Sequence, residues 1–274
     1  MTVCVGAICE NGQSVVVAAD KMVTFGPPMS LQTEPPTFQK ITAVTNQVVL
    51  LASGSVPDVE EIVSTVSSQF GKDKKYAVKA IAEQVNEAYV ALKRKRVEAL
   101  FLKPFLGADF AHFQQMIVQS SSSQLLQQML GLIMQHNLQT EVLIAGVDDS
   151  GAHLFTVVHP GQLFPADTMG YLTTGSGGLH AAVRLSLAQQ CKVASLVETV
   201  YNVYEAKRAA EVAPGVGKFT DLAVIKEGHV VFAQDDVFKA LEKAHKEKPS
   251  PTDAERKELS EVCDAWTNSK PESK

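Results

Sequence analysis

Four residues near the start of the chain carry the strongest chemical suggestion: Thr2, Asp20, Lys40 and Gly54. Thr2 follows Met1, and a small residue in that position favours removal of the methionine, so the mature chain is expected to begin with threonine. An N-terminal Thr joins a hydroxyl nucleophile to an α-amine whose reference pKa of about 8 suits a general base at neutral pH. The hydroxyl alone is a poor nucleophile, and the adjacent base makes it competent. A lysine ammonium beside the amine, as Lys40 could supply, would lower the amine's pKa, and Asp20 would hold that lysine in place. Gly54 is a candidate N–H donor to an oxyanion, because glycine lets backbone approach a substrate closely. Singly, each residue has an ordinary reading: Thr2 as a terminal strand residue, Asp20 as a turn carboxylate, Lys40 as an exposed strand-start lysine. Their convergence points to attack on a peptide or amide carbonyl.

Two hairpins must bring these residues together. Thr2–Cys9 and Ser14–Ala19 are rich in β-branched and small apolar residues, and the Asn11-Gly12 pair between them is a strong hairpin signal. A turn centred there sets Thr2 opposite Asp20 or Lys21. In the second hairpin, Ile41–Val44 and Val48–Ala52 flank a turn at Thr45–Gln47, which places Lys40 opposite Ala52, two residues before Gly54. The segment from Gly26 to Pro36 contains Pro27-Pro28 and Pro35-Pro36 and reads as a loop without regular structure.

The rest of the chain repeats this alternation. Helices are expected over Asp58–Phe70, with Val59, Ile62, Val63 and Val66 on one face, and from Tyr76 to about Leu102, with Val78, Ile81, Val85, Tyr89, Leu92 and Val97 at helical spacing. The basic run Lys93–Arg96 reads as a solvated helix face. A Gln-, Ser- and Met-rich stretch, 104–138, reads as a helical insertion broken near Ser120–Ser123. Strands follow at Val142–Val147, Ala152–Val158 and Met169–Thr174, then helices at Leu179–Cys191 and Ser195–Glu211, and a last hairpin, Leu222–Ile225 with Val230–Phe232. The expected organisation is one domain over 1–235 and a charged helix with an exposed tail over 236–274. Helices paired between hairpins define an α+β fold: a four-layer α/β/β/α sandwich of two stacked antiparallel sheets.

Composition narrows the class. The 274 residues are 45% hydrophobic with a net charge of −5, which excludes a largely disordered chain and argues against a nucleic-acid partner. No apolar run nears the roughly 20 residues of a membrane helix, so no membrane partner is expected. The Met1–Cys4 start lacks the features of a signal peptide. Cys4, Cys9, Cys191 and Cys263 are widely spaced, which reads as reduced thiols in a cytoplasmic protein. The histidines show no ligand spacing with cysteines or carboxylates, Gly175–Gly178 lacks the lysine of a phosphate loop, and Asp148–Gly151 reads as a β-turn; neither metal nor cofactor is expected.

The ordered motifs resemble the proteasome β-subunit family of N-terminal-nucleophile (Ntn) hydrolases, which includes the bacterial proteasome-like peptidases. The resemblance lies in T-V-C-V-G at Thr2, V-V-V-A-A-D-K-M-V-T at Val15–Thr24, Lys40 through A-S-G-S at Ala52–Ser55, L-I-A-G-V-D at Leu143–Asp148 and T-G-S-G-G at Thr174–Gly178. It implies the four-layer fold and a threonine-type peptidase with Thr2 as nucleophile and base, Asp20 and Lys40 as the tuning pair, and Gly54 as oxyanion donor. It further implies Ser176 beside the terminal amine and Glu211 in place of the family's usual Asp. Val23, Thr24, Ala52 and Val56 would form the substrate pocket, suited to an apolar P1 side chain. By the same resemblance the partners are other copies of the chain, in a ring or stacked rings, and peptide or unfolded-protein substrates, with a regulatory ATPase unidentified. Departures are Pro214 where the family has serine, a longer Asp20–Lys40 loop, and no propeptide ahead of Thr2. Two alternatives are an inactive structural subunit and an Ntn amidohydrolase or peptide ligase of narrow specificity.

Overall fold

The computed structural model describes residues 2–25, 31–35, 37–119, 123–226 and 228–246. The chain divides into two units, one ending at Ala233 and one beginning at Gln234. In the first, strands β1 (Cys4–Cys9), β2 (Ser14–Asp20), β3 (Val23–Thr24), β4 (Gln32–Thr33), β5 (Ile41–Ala43) and β6 (Val48–Ser53) precede helices α1 (Val56–Ser67) and α2 (Val78–Val97). A π-helical turn (Glu98–Leu102) leads into α3 (Lys103–Leu106), α4 (Phe110–Gln119) and α5 (Gln124–Gln135). Then come β7 (Glu141–Asp148), β8 (Gly151–Val158), β9 (Gln162–Pro165), β10 (Tyr171–Thr174), α6 (Gly178–Leu187), α7 (Leu196–Ala210), β11 (Thr220–Lys226) and β12 (His229–Phe232). The described part of the second unit is helix α8 (Asp235–Lys246).

Two five-stranded antiparallel sheets form, in the orders β10-β1-β2-β11-β12 and β5-β6-β7-β8-β9. Their facing sides bury Ile8, Val15, Val17, Val49, Leu51, Leu143, Leu154 and Ile225 in one apolar layer. Alternation along β6 sends Leu50 and Ala52 the other way, against Ile62 and Val66 of α1 and Ile81, Val85 and Tyr89 of α2. Helices α6 and α7 cover the first sheet along β10, β1 and β2. The result is the expected α+β sandwich of four layers. All six apolar residues singled out on the second helix are buried, from Val78 to Val97. The basic run is held by carboxylates: Arg96 donates to Asp58 at 2.6 and 2.8 Å, and Lys95 pairs with Glu61, which ties α2 to α1.

Three expectations need correction. The segment after Thr24 is not without regular structure, because Val23 pairs with Thr33 and Thr24 with Gln32 in a short ladder. Strand β9 was not anticipated; it pairs with β8 from Phe155↔Pro165 to Val158↔Gln162, with Pro165 at the sheet edge where a missing N–H costs nothing. Helix α2 ends at Val97, and the 104–138 stretch then folds as α3–α5 around its own small core of Val97, Leu102, Phe113, Leu126, Met129 and Ile133. Residues 120–122, Pro27-Pro28, Pro36, Glu227 and the tail from 247 lie outside the described residues.

Candidate functional site

Thr2 lies at the head of β1, between β2 and β10. The register Cys4↔Ala19 carries Asp20 to the level of Val3, and Asp20 N–H donates to Val3 O at 3.3 Å. On the other side Cys4 pairs with Thr174, so the Gly175-Ser176 turn that ends β10 comes up beside Thr2. Gly175 has φ +84°, and a Cβ there would stand 2.3 Å from Thr2 O. Only glycine permits that approach. Gly177 N–H donates to Thr2 O at 3.1 Å, and Thr2 N–H donates to Ser176 Oγ at 3.2 Å.

Lys40 arrives from the opposite sheet. The β5–β6 register, Ile41↔Leu51, brings it level with Ala52, while its backbone N–H donates to Asp221 of β11 at 3.3 Å. Its side chain, 7% exposed, donates to Thr2 Oγ1 at 2.6 Å and to Asp20 Oδ1 at 2.9 Å. Asp20 is fully buried and saturated. Oδ1 also accepts from Val3 N–H at 2.9 Å, and Oδ2 accepts from Met22 N–H at 2.9 Å and Gly217 N–H at 3.0 Å. Four donors converge on one carboxylate, which fixes the ammonium against the threonine hydroxyl.

Gly54 follows β6 with φ +117°, and a Cβ there would meet Gln139 O at 2.2 Å and Thr140 Cα at 2.7 Å. Any side chain at 54 is therefore barred by both conformation and space. Gly54 and Thr2 line two cavities in common. One, of about 430 Å³, has walls from Val23, Thr24, Leu50, Ala52, Val56, Val59 and Val63, with Lys40 and Glu60 as charged groups. All four residues expected in the substrate pocket line it. The other, of about 620 Å³, is lined mainly by polar groups, among them Ser53, Ser55, Asn137, Gln139, Thr140, Glu141 and Ser176.

Glu211 lies elsewhere in the hydrogen-bond pattern. It caps α7, and its carboxylate accepts from Lys207 Nζ at 2.8 Å and lies 3.5 Å from Arg208 Nε. Lys207 is fully buried and also donates to Lys218 O at 2.7 Å, beside the Gly217 N–H that reaches Asp20. Burial lowers the pKa of Lys207, and Glu211 opposes that shift. Lys207 and Gly217 were not anticipated. A signal existed for the first, a lysine in the buried α7 stripe of Thr199, Val203, Ala206 and Ala210. Nothing local marks the second.

Cys4, two residues from Thr2, is a poor rival nucleophile. It is fully buried, and burial pushes its thiol up to about 12, with the Lys40 ammonium opposing. At pH 8 the thiolate fraction would be about one part in ten thousand. Iodoacetamide at that pH is expected to alkylate exposed Cys191 and leave Cys4 unmodified in the native protein, read by peptide mass mapping. Rapid native labelling of Cys4 would contradict its burial.

Residues 2–98, from Thr2 through α2 to the first residue of the π-helical turn, match the family model described as proteasome subunit. No curated protein matches the chain significantly. Among the described residues, no helix is long and apolar enough to cross a membrane.

Proposed function

We propose that the protein is a threonine-type peptidase whose nucleophile is Thr2 after removal of Met1. The observation that supports this best is the Lys40 ammonium bridging Thr2 Oγ1 and Asp20 Oδ1, at 2.6 and 2.9 Å, where two cavities meet. Thr2 Oγ1 attacks the scissile carbonyl carbon, and the freed α-amine takes its proton, directly or through a water. The Gly54 N–H stabilises the oxyanion. As the C–N bond breaks, the α-amine returns the proton to the leaving nitrogen, leaving an ester on Thr2 that water hydrolyses. Lys40 keeps positive charge beside the amine and hydroxyl, which favours the neutral amine and the developing alkoxide.

The apolar cavity takes the P1 side chain. Its Val, Leu and Ala walls suit an aliphatic stem, and Glu60 in the same cavity would favour a cationic end on that stem. Homo-oligomeric rings would enclose the site, as the family suggests, and a closed chamber would make a cytoplasmic peptidase safe to its neighbours. Ser176 holds the Thr2 nitrogen, and Glu211 supports the site only through Lys207. Intact mass measurement tests the central requirement: the mature protein should lack Met1, and an electrophile directed at N-terminal threonine should add once, at Thr2. Retention of Met1 would consume the amine in a peptide bond and end this reading. An unmodified free Thr2 would favour a structural subunit instead.

A further inference from the structure

The cavity of about 620 Å³ on the Ser176 side of Thr2 has no role in the P1 pocket, and its chemistry differs sharply from it. Which side of the scissile bond it serves follows from where the proton must go. The leaving nitrogen has to receive its proton from the Thr2 α-amine, so the departing segment lies on the amine's side of the nucleophile. The Thr2 nitrogen is bonded to Ser176 Oγ at 3.2 Å, and Ser176 and Gly175 line this cavity and not the apolar one.

Glu141 is the one Asp, Glu, Lys or Arg among the residues lining it. Its carboxylate accepts from Gly175 N–H at 3.1 Å, its single hydrogen bond among the described residues, so lone pairs remain for a ligand. His159 also lines the cavity, and its buried Nδ1 has no partner among the described residues. Burial, with Lys93 and His136 nearby, lowers the His159 pKa, so near neutral pH it adds hydrogen-bonding capacity without cancelling the charge of Glu141. The floor is the 137–140 segment, pressed on Gly54 so closely that Gln139 O occupies the space of a Cβ. That segment enters from α5, so the helices after α2 end in a wall of this cavity.

We propose that this cavity is the subsite for the segment leaving on the amine side of the scissile bond, and that Glu141 makes it select a lysine or arginine as the first leaving residue. The inference rests on the peptidase reading above. A cationic side chain there forms a charge-assisted hydrogen bond with the Glu141 carboxylate.

Internally quenched peptides that share one P1 residue and differ only in having Lys, Ala or Glu after the scissile bond test this on the mature protein. The wild type is expected to cleave the Lys peptide at least about tenfold faster in kcat/KM than the Glu peptide. Glu141→Gln, which keeps an acceptor for Gly175 N–H, should bring that ratio to within about twofold, and Glu141→Lys should invert it. No dependence on this residue in the wild type, or a Lys preference that survives both substitutions, overturns the proposal. Calorimetric titration with short peptides beginning in Lys or Glu separates the two readings. Lys-selective binding lost in Glu141→Gln, without cleavage of any peptide, sustains the subsite and ends the peptidase reading. Cleavage without Lys-selective binding does the reverse.

Discussion

Thr2→Ala is expected to lower peptide kcat/KM at least about 10³-fold, roughly 4 kcal/mol of transition-state stabilisation, while leaving the fold intact. The substitution removes Oγ1 and the Cγ2 methyl and leaves the backbone unchanged. Lys40 Nζ keeps its 2.9 Å bond to Asp20, and the Thr2 backbone keeps its bonds with Ser176 and Gly177. Thermal unfolding should therefore move little. Thr2→Ser, which retains the hydroxyl and the amine, should preserve measurable turnover. Lys40→Met is expected to lose activity to the same degree, with a stability cost that Thr2→Ala lacks, because it leaves the Asp20 carboxylate buried without its cation. Steady-state assays and unfolding curves on the same preparations separate these effects. Wild-type-like turnover in either Thr2→Ala or Lys40→Met would sink the mechanism.

Asp20 carries the second large effect, and here stability and activity fall together. Asp20→Ala strips the acceptor from three backbone N–H groups and from a buried ammonium, an expected loss of about 3–5 kcal/mol. Asn is no rescue. Oδ1 faces two donors, Val3 N–H and Lys40 Nζ, and Oδ2 faces two more, Met22 N–H and Gly217 N–H. Whichever way an amide is turned, its NH₂ confronts a pair of donors. Asp20→Asn is thus expected to cost about 2–3 kcal/mol, roughly a 5–10 °C fall in melting temperature for a chain of this size, along with most of the activity. A melting temperature unchanged in Asp20→Asn would mean that the four-donor arrangement does not hold in solution.

The two effects differ because Thr2 presents a reactive atom whereas Asp20 joins several parts of the chain. Val3, Met22, Lys40 and Gly217 reach one carboxylate from the first strand, the turn after β2, the opposite sheet and the loop after α7. Buried Lys207 supports the last of these through Lys218 O. Glu211, expected beside the nucleophile, instead contributes by neutralising Lys207.

Local signals in the chain determined a good deal. Hairpin turns and alternation of period two set the registers Cys4↔Ala19 and Ile41↔Leu51, and these alone bring Asp20 and Lys40 to the strand ends nearest Thr2 and Gly54. Helical spacing marked the buried face of α2 from Val78 to Val97. These features were legible because they depend on neighbours within a few residues, where periodicity and turn chemistry act. The β3–β4 ladder and β9 were not, since pairs of two to four residues gain their stability from the sheet or loop they join. Only the tertiary structure decided that Gly217 would complete the coordination of Asp20, that Glu211 would serve Lys207, and that Gln139 and Glu141 would wall a polar cavity against Gly54. Those contacts join residues far apart in the chain, and a carboxylate or N–H finds its partner there only after the two sheets have packed and excluded water.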